Sequence, residues 1–173
     1  MAEIYLISDT HFNHGNILNF TDRNTGKTVR PFQSVHDMNE TMVENWNNTV
    51  KPGDKVYHLG DVFFGSQVHF KSLWPRLNGR KRLIVGNHDD VKFLSSGSFF
   101  EKVMLWRKFE NLLLTHVPVH PSTLQENRFD GRPMINVHGH IHQNKSPDGP
   151  YRCVCVEQIN YTPINIEELL SAG

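Results

Sequence analysis

The sequence predicts an α/β fold in which two β-sheets stack face to face with helices outside, and three observations carry that expectation. Runs of three to five aliphatic residues, too short for helices and bounded by Gly or polar residues, recur along the chain. Helical spacing separates the early runs, and strand-like runs dominate the second half. A single doubly wound sheet would instead keep its helices alternating to the end.

The elements follow in order. Ile4-Tyr5-Leu6-Ile7 is the first strand and leads into Ser8-Asp9-Thr10-His11. Ser34, three residues before Asp37, marks a helix start, and Met38, Met42, Val43, Trp46 and Val50 then recur at three- and four-residue spacing. Lys51-Pro52-Gly53-Asp54 stops that helix, and Lys55 to Leu59 forms the second strand, ending in Gly60-Asp61. A second helix runs from Ser66 towards Leu77 with Val68, Phe70, Leu73 and Trp74 as its apolar side and Pro75 weakening its end. Leu83-Ile84-Val85 leads into Gly86-Asn87-His88-Asp89. Phe100 to Phe109 and Asn111 to Thr115 read as a hairpin turning near Glu110-Asn111, with His116 just beyond. Pro133 to Val137 and Tyr151 to Glu157 read as another pair around a Pro/Gly loop, the first ending in His138-Gly139-His140.

Length and charge narrow the function. At 173 residues the chain, 1–173, is expected to be a single domain with a core large enough to need no staples. Eighteen Lys and Arg balance eighteen Asp and Glu, which gives no basic footprint for duplex nucleic acid and nothing to steer the chain to an acidic membrane. No run approaches the roughly 20 apolar residues of a membrane span, and the N-terminus enters a strand directly, so a cytoplasmic location is expected. Cys153 and Cys155 lie two apart on one strand face, where a disulfide is geometrically poor, and read as reduced thiols.

Five apolar runs each end in residues that bind metals. In open α/β sheets ligands collect at the carboxyl ends of strands, so these clusters can converge. A first-row transition metal accepts imidazole nitrogen together with carboxylate or amide oxygen, and two such ions roughly 4 Å apart need about seven protein ligands. Asp9 and His11 can reach one ion, and so can His138 and His140. One His at a strand end is an ordinary structural residue; Asp, Asn or His at five ends is hard to attribute to chance.

The order Asp-x-His, Gly-Asp, Gly-Asn-His-Asp, a single His after a strand, then Gly-His-x-His with His138 just before that Gly, resembles the calcineurin-like metallophosphoesterases. The match runs from Asp9 to His140. The resemblance implies an αββα sandwich and two divalent transition-metal ions, among Mn, Fe, Zn, Co and Ni, with Mn favoured. It implies one ion on Asp9, His11, Asp61 and His140 and the other on Asp61, Asn87, His116 and His138, with Asp61 bridging. Such a pair generates hydroxide between the ions near neutral pH, and the resemblance gives His88 the role of general acid towards the leaving group. Asp89 is expected to orient that imidazole or to cap the following helix. A likeness to small bacterial and phage members rests on His14 and on Arg30-Pro31-Phe32.

The chain departs from one family pattern. Phosphoprotein phosphatases of the family continue Gly-Asp-x-x-Asp-Arg, whose Arg grips a dianionic phosphate; here the segment is Gly60-Asp61-Val62-Phe63-Phe64-Gly65. Without that Arg and with two Phe, the site suits a monoanionic diester bearing an apolar group. Phosphodiester hydrolysis is therefore the first expectation, on small phosphoesters including nucleotide-derived ones. Phosphomonoester hydrolysis on the same metals and a non-catalytic metal-binding scaffold are the alternatives. Positive charge for the substrate is expected from Arg30, Arg128 or Arg132, with His14 as a further contact.

Overall fold

The computed structural model describes residues 2–126 and 131–171. Of its two mixed sheets, the first is built from the chain up to about Leu105 together with one late strand, and the second from the segment between them. The five-stranded sheet holds β1 (Ile4–Ile7), β2 (Lys55–His58), β3 (Arg80–Ile84) and β4 (Lys102–Met104) in parallel, with β9 (Ile164–Asn165) antiparallel on the free edge of β1. In the four-stranded sheet, β5 (Arg107–Phe109) pairs antiparallel with β6 (Leu112–Leu114), and β7 (Ile135–His138) and β8 (Tyr151–Cys153) continue in parallel.

Alternation along the strands builds two cores. Ile7, Val56 and Leu83 face a helical layer, in which α1 (Val35–Thr49) contributes Met38, Met42, Val43 and Trp46, α2 (Gln67–Leu73) Phe70 and Leu73, and α3 (Val91–Ser96) Phe93 and Leu94. Their neighbours Leu6, Tyr57 and Ile84 face the other way, onto Leu112, Leu114, Ile135 and Val137 of the second sheet. The short α4 (Ile166–Leu170) adds Ile166 and Leu169 to that second core. Buried Trp46 and Trp74 donate their indole N–H groups to the Asn78 and Phe99 carbonyls, so neither leaves a polar atom unpaired.

Local chemistry fixes the helix starts. Ser34 accepts from Asp37 N at 3.0 Å and Ser66 from Val68 N at 3.2 Å. Val68, expected on the apolar side of α2, is 73% exposed, because a residue two before Phe70 lies on nearly the opposite side of a helix. The expected arm from Phe100 to Phe109 also divides: Lys102–Met104 pairs with β3, and only Arg107–Phe109 makes the hairpin with β6. From Tyr151 the strand ends at Cys153, and the chain then crosses to the other sheet, where Ser8 N donates to Val154 O and Val156 N to Ser8 O. That crossing stitches the sheets together at the carboxyl ends of β1 and β7. No helix of the described residues is long and apolar enough to cross a membrane.

Candidate metal centre

The loops beyond β1, β2, β3, β6 and β7 meet at this stitched end. The ladder between the first two continues past the strands, with Asp9 N donating to Gly60 O and His11 N to Asp61 O, while Gly139 N donates to His116 O across the second sheet. Asp9, His11, Asp61, His140 and His142 all take left-handed backbone, with φ between 47° and 71°. Non-glycine residues seldom do so, and such strain gathers where a site must aim side chains. Gly139 is required for close approach: a Cβ there would strike Ser8 Oγ and Asp9 Oδ2.

Two groups of ligand atoms converge. Asp9, His11 and His142 each offer an atom within 4.8 Å of the others, and so do Asp9, Asp61 and His116. Asp9 Oδ2 is taken by Ser8 Oγ at 2.5 Å, His140 N at 2.8 Å and the Cys155 thiol at 3.3 Å. Asp9 Oδ1 is buried without a partner, 3.6 Å from His11 Nε2 and 3.8 Å from His142 Nε2; His11 Nε2 is likewise buried and unpaired. Asp61 Oδ1 accepts from His88 N, whereas Asp61 Oδ2 lies 3.6 Å from both His11 Nε2 and His116 Nε2. His116 Nδ1 meets the Leu59 carbonyl at 2.7 Å, so the ring proton sits there and the Nε2 lone pair faces Asn87 Oδ1 at 2.8 Å. His140 Nδ1 lies 3.0 Å from the same amide oxygen.

Lone pairs facing lone pairs, with buried oxygen and nitrogen left unpaired, are costly unless a cation lies among them. The donor set, imidazole with carboxylate and amide oxygen, suits a first-row transition metal. Burial holds the His11 and His140 imidazoles below their usual range, which keeps lone pairs available. For Asp9, burial alone would raise the carboxyl, but the His11 imidazole beside it, with His116 and His142 close by, holds it well below the carboxylate range. His142 is opposed by burial, yet its bond to Glu157 raises it above the ordinary imidazole.

The sequence-derived set and this geometry part at three places. His138 is completely buried, with Nδ1 donating to Gly139 O at 2.9 Å and Nε2 accepting from Ser146 Oγ at 3.1 Å, so neither nitrogen is left for a metal. His140 stands on the Asn87 and His116 side, not beside Asp9 and His11, and the place beside Asp9 belongs to His142. Gly139-His140-Ile141-His142 carries the signal for this: its two His lie two apart after the Gly, as Asp9 and His11 do after their strand.

Asp89 neither orients His88 nor caps α3. Its half-buried carboxylate accepts from the backbone N–H groups of Asp61, Val62 and Gly86, clamping two metal-centre loops together, and Asp90 is the cap, accepting from Phe93 N. Arg30 has no face towards substrate: fully buried, it donates to the Asp9 and Thr10 carbonyls and to Glu157 Oε1. Arg132 pairs with Glu110 on the surface, and Arg128 lies outside the described residues. His14 does reach the centre, stacked on Phe64 at 4.1 Å between ring centroids and 3.3 Å from His11 through Nδ1, with burial and His11 pushing its pKa down to about 4. The two Phe divide as well: Phe63 packs on Phe70 and Phe93 in the core, while Phe64 stacks on His11 at 4.9 Å and lies beside His88.

Residues 2–154 match the calcineurin-like phosphoesterase superfamily domain. The chain belongs to that superfamily. This phosphoesterase is 39% identical over 176 aligned residues to an uncharacterized protein of Methanocaldococcus jannaschii, covering 96% of the chain and 89% of the relative. It is 28% identical to the gene 66 protein of Mycobacterium phage L5, with coverage of 82% and 78%. The crystal structure of a protein of unknown function from Aquifex aeolicus superposes with a TM-score of 0.70 at 28% identity over the full length of both chains. Members of the superfamily are metal-dependent hydrolases of phosphoesters, and the Asp and His groups of this phosphoesterase are of the kind that hold divalent ions.

Proposed function

We propose that the protein hydrolyses phosphodiesters with two divalent transition-metal ions, Mn first among them. Asp9, His11, Asp61 and His142 would hold one ion; Asp61, Asn87, His116 and His140 would hold the other, with Asp61 Oδ2 shared. Bound there, the ions supply Lewis acidity to the phosphoryl oxygens and lower the pKa of the attacking water. The chain's own part is to orient the ester and deliver a proton. His88 is exposed at the rim, its backbone N–H anchored on Asp61 Oδ1 and its ring 6.1 Å from that of His11. The water oxygen bonds to phosphorus as the ester P–O bond breaks, His88 gives a ring proton to the departing oxygen, and the proton shed by the water passes to solvent, from which His88 is reprotonated.

The preference for a diester rests on Phe64. It occupies the rim where the phosphoprotein phosphatases run on into Asp-Arg, and Arg30, the nearby guanidinium, is spent on backbone carbonyls and Glu157. A second anionic charge on the phosphate would find no guanidinium from Arg30, whereas an apolar ester group meets an aromatic face. With manganese-loaded protein, methyl 4-nitrophenyl phosphate should exceed 4-nitrophenyl phosphate in kcat/KM by about tenfold, or about 1.4 kcal/mol of transition-state binding. A clear preference for the monoester would overturn the diester assignment.

A further inference from the structure

Leu105 and Trp106 carry the chain from β4 in one sheet to β5 in the other. They cross beside the loop after β3, which holds Asn87, and the loop after β6, which holds His116. A cavity of about 780 Å³ opens between these segments, walled by Leu105, Trp106, Leu113, Val117, Val119 and Met134. Among the described residues six large hydrophobic side chains are exposed, and three of them line this cavity: Leu105 at 76%, Trp106 at 61% and Val117 at 45%. Scattered apolar residues on a surface need no explanation, but a contiguous patch beside a reactive centre marks a binding surface.

We propose that this groove is the specificity subsite of the enzyme and holds a planar aromatic group esterified to the substrate phosphate, stacked on Trp106. The inference rests on the phosphodiesterase reading above. Asn87 and His116 belong both to the metal centre and to the groove wall, so a phosphate at the centre has an ester substituent within reach of the groove. The exposed indole offers a π-face, and stacking accepts any planar ring without demanding particular hydrogen bonds. The wall of this groove is mainly apolar, with Lys108, Gln125 and Glu126 among its polar side chains. In the cavity of about 530 Å³ beside His142, by contrast, polar residues, among them Arg23, Asn24, Gln143 and Asn144, make the larger share of the lining. Aromatic selectivity therefore belongs to the Trp106 side.

Trp46 and Trp74 are 0% and 2% exposed, which leaves Trp106, of the three tryptophans, open to an external ring. Manganese-loaded protein titrated with diphenyl phosphate should show saturable quenching of Trp106 fluorescence, and dimethyl phosphate, equally monoanionic, should not quench. Competition binding should favour diphenyl phosphate by about tenfold or more, a preference falling to about threefold or less in Trp106→Ala and returning in Trp106→Phe. If the preference survives Trp106→Ala while diesters are still hydrolysed, the subsite is wrong and the phosphodiesterase reading stands. If Trp106-dependent binding is found and no diester is hydrolysed, the subsite stands and the reaction assignment falls. Sedimentation that shows a dimer broken by Trp106→Ala would assign the groove to a second copy of the chain and overturn the proposal.

Discussion

Glu157 Oε1 accepts a hydrogen bond from His142 Nδ1 at 2.9 Å, and the same oxygen accepts one from Arg30 Nε at 2.8 Å. The bond fixes the His142 tautomer with its proton on Nδ1 and directs the Nε2 lone pair towards Asp9 Oδ1, 3.8 Å away. At the other end, Arg30 holds the carbonyls of Asp9 and Thr10, so one buried ion pair steadies both Asp9 and His142. Glu157 is a positioning residue in this reading.

Glu157→Gln keeps the shape and removes the charge. Partners of this kind commonly govern roughly 10- to 100-fold in metal affinity. Manganese titration by calorimetry should show one of two equivalents weakened to that degree and the other little changed. Two unaltered affinities, with only a lowered melting temperature, would reduce Glu157 to a structural partner of Arg30.

His142 and His138 are separated by what their nitrogens already do. Nε2 of His142 is free to face Asp9, whereas both nitrogens of His138 are hydrogen-bonded to neutral groups. His142→Ala should lose one manganese equivalent by elemental analysis, and His138→Gln, in its folded fraction, should retain two. The reverse pattern would return His138 to the ligand set.

The convergence of loops is legible in the sequence because strand ends are marked by a change from aliphatic to polar residues, as at Ile7-Ser8-Asp9 and Leu59-Gly60-Asp61. Which imidazole meets which partner is not, since it depends on left-handed turns at His140 and His142 that redirect side chains only one or two residues apart. The places of Asp89 and Arg30 are not legible in the sequence for a related reason. Their residue types fit catalysis or substrate binding, and only the tertiary fold shows their polar atoms consumed by the backbone of Asp61, Val62, Gly86, Asp9 and Thr10. Cys155, read as a small reduced strand residue, is a free thiol, and it also donates to Asp9 Oδ2.

His58 sets an acid limit on the fold. Thr10 Oγ1 donates to Val62 O, so His58 Nε2 must be the donor towards Thr10 Oγ1, and His58 Nδ1 accepts from Gly60 N at 3.2 Å. Protonation would put a charge in the core and destroy that acceptor; complete burial holds the imidazole down to about 3. An unfolded histidine titrates near 6.5, so the unfolded chain takes up the proton first and stability falls as pH drops from about 6.5 towards 3, by up to about 1.4 kcal/mol per pH unit. In chelator, the melting temperature of the wild type should fall more steeply over this window than that of His58→Gln. Parallel slopes would place the acid sensitivity elsewhere.

His88 and Asn87 are adjacent, yet their proposed roles differ in kind. Asn87 Oδ1 lies against His116 and His140, while the His88 ring borders Phe64 and His11 at the rim. If His88 supplies the leaving group's proton, His88→Ala should keep its manganese and slow turnover in a substrate-dependent way. A nitrophenolate departs readily without a proton, so that loss should be modest, whereas a diester with an aliphatic alkoxide should slow by about 10²- to 10⁴-fold. Asn87→Ala should instead weaken one metal equivalent and slow both substrates alike. Equal slowing of activated and unactivated diesters by His88→Ala would make His88 an electrostatic contact, and loss of manganese would make it a ligand; either result removes it from the proton transfer.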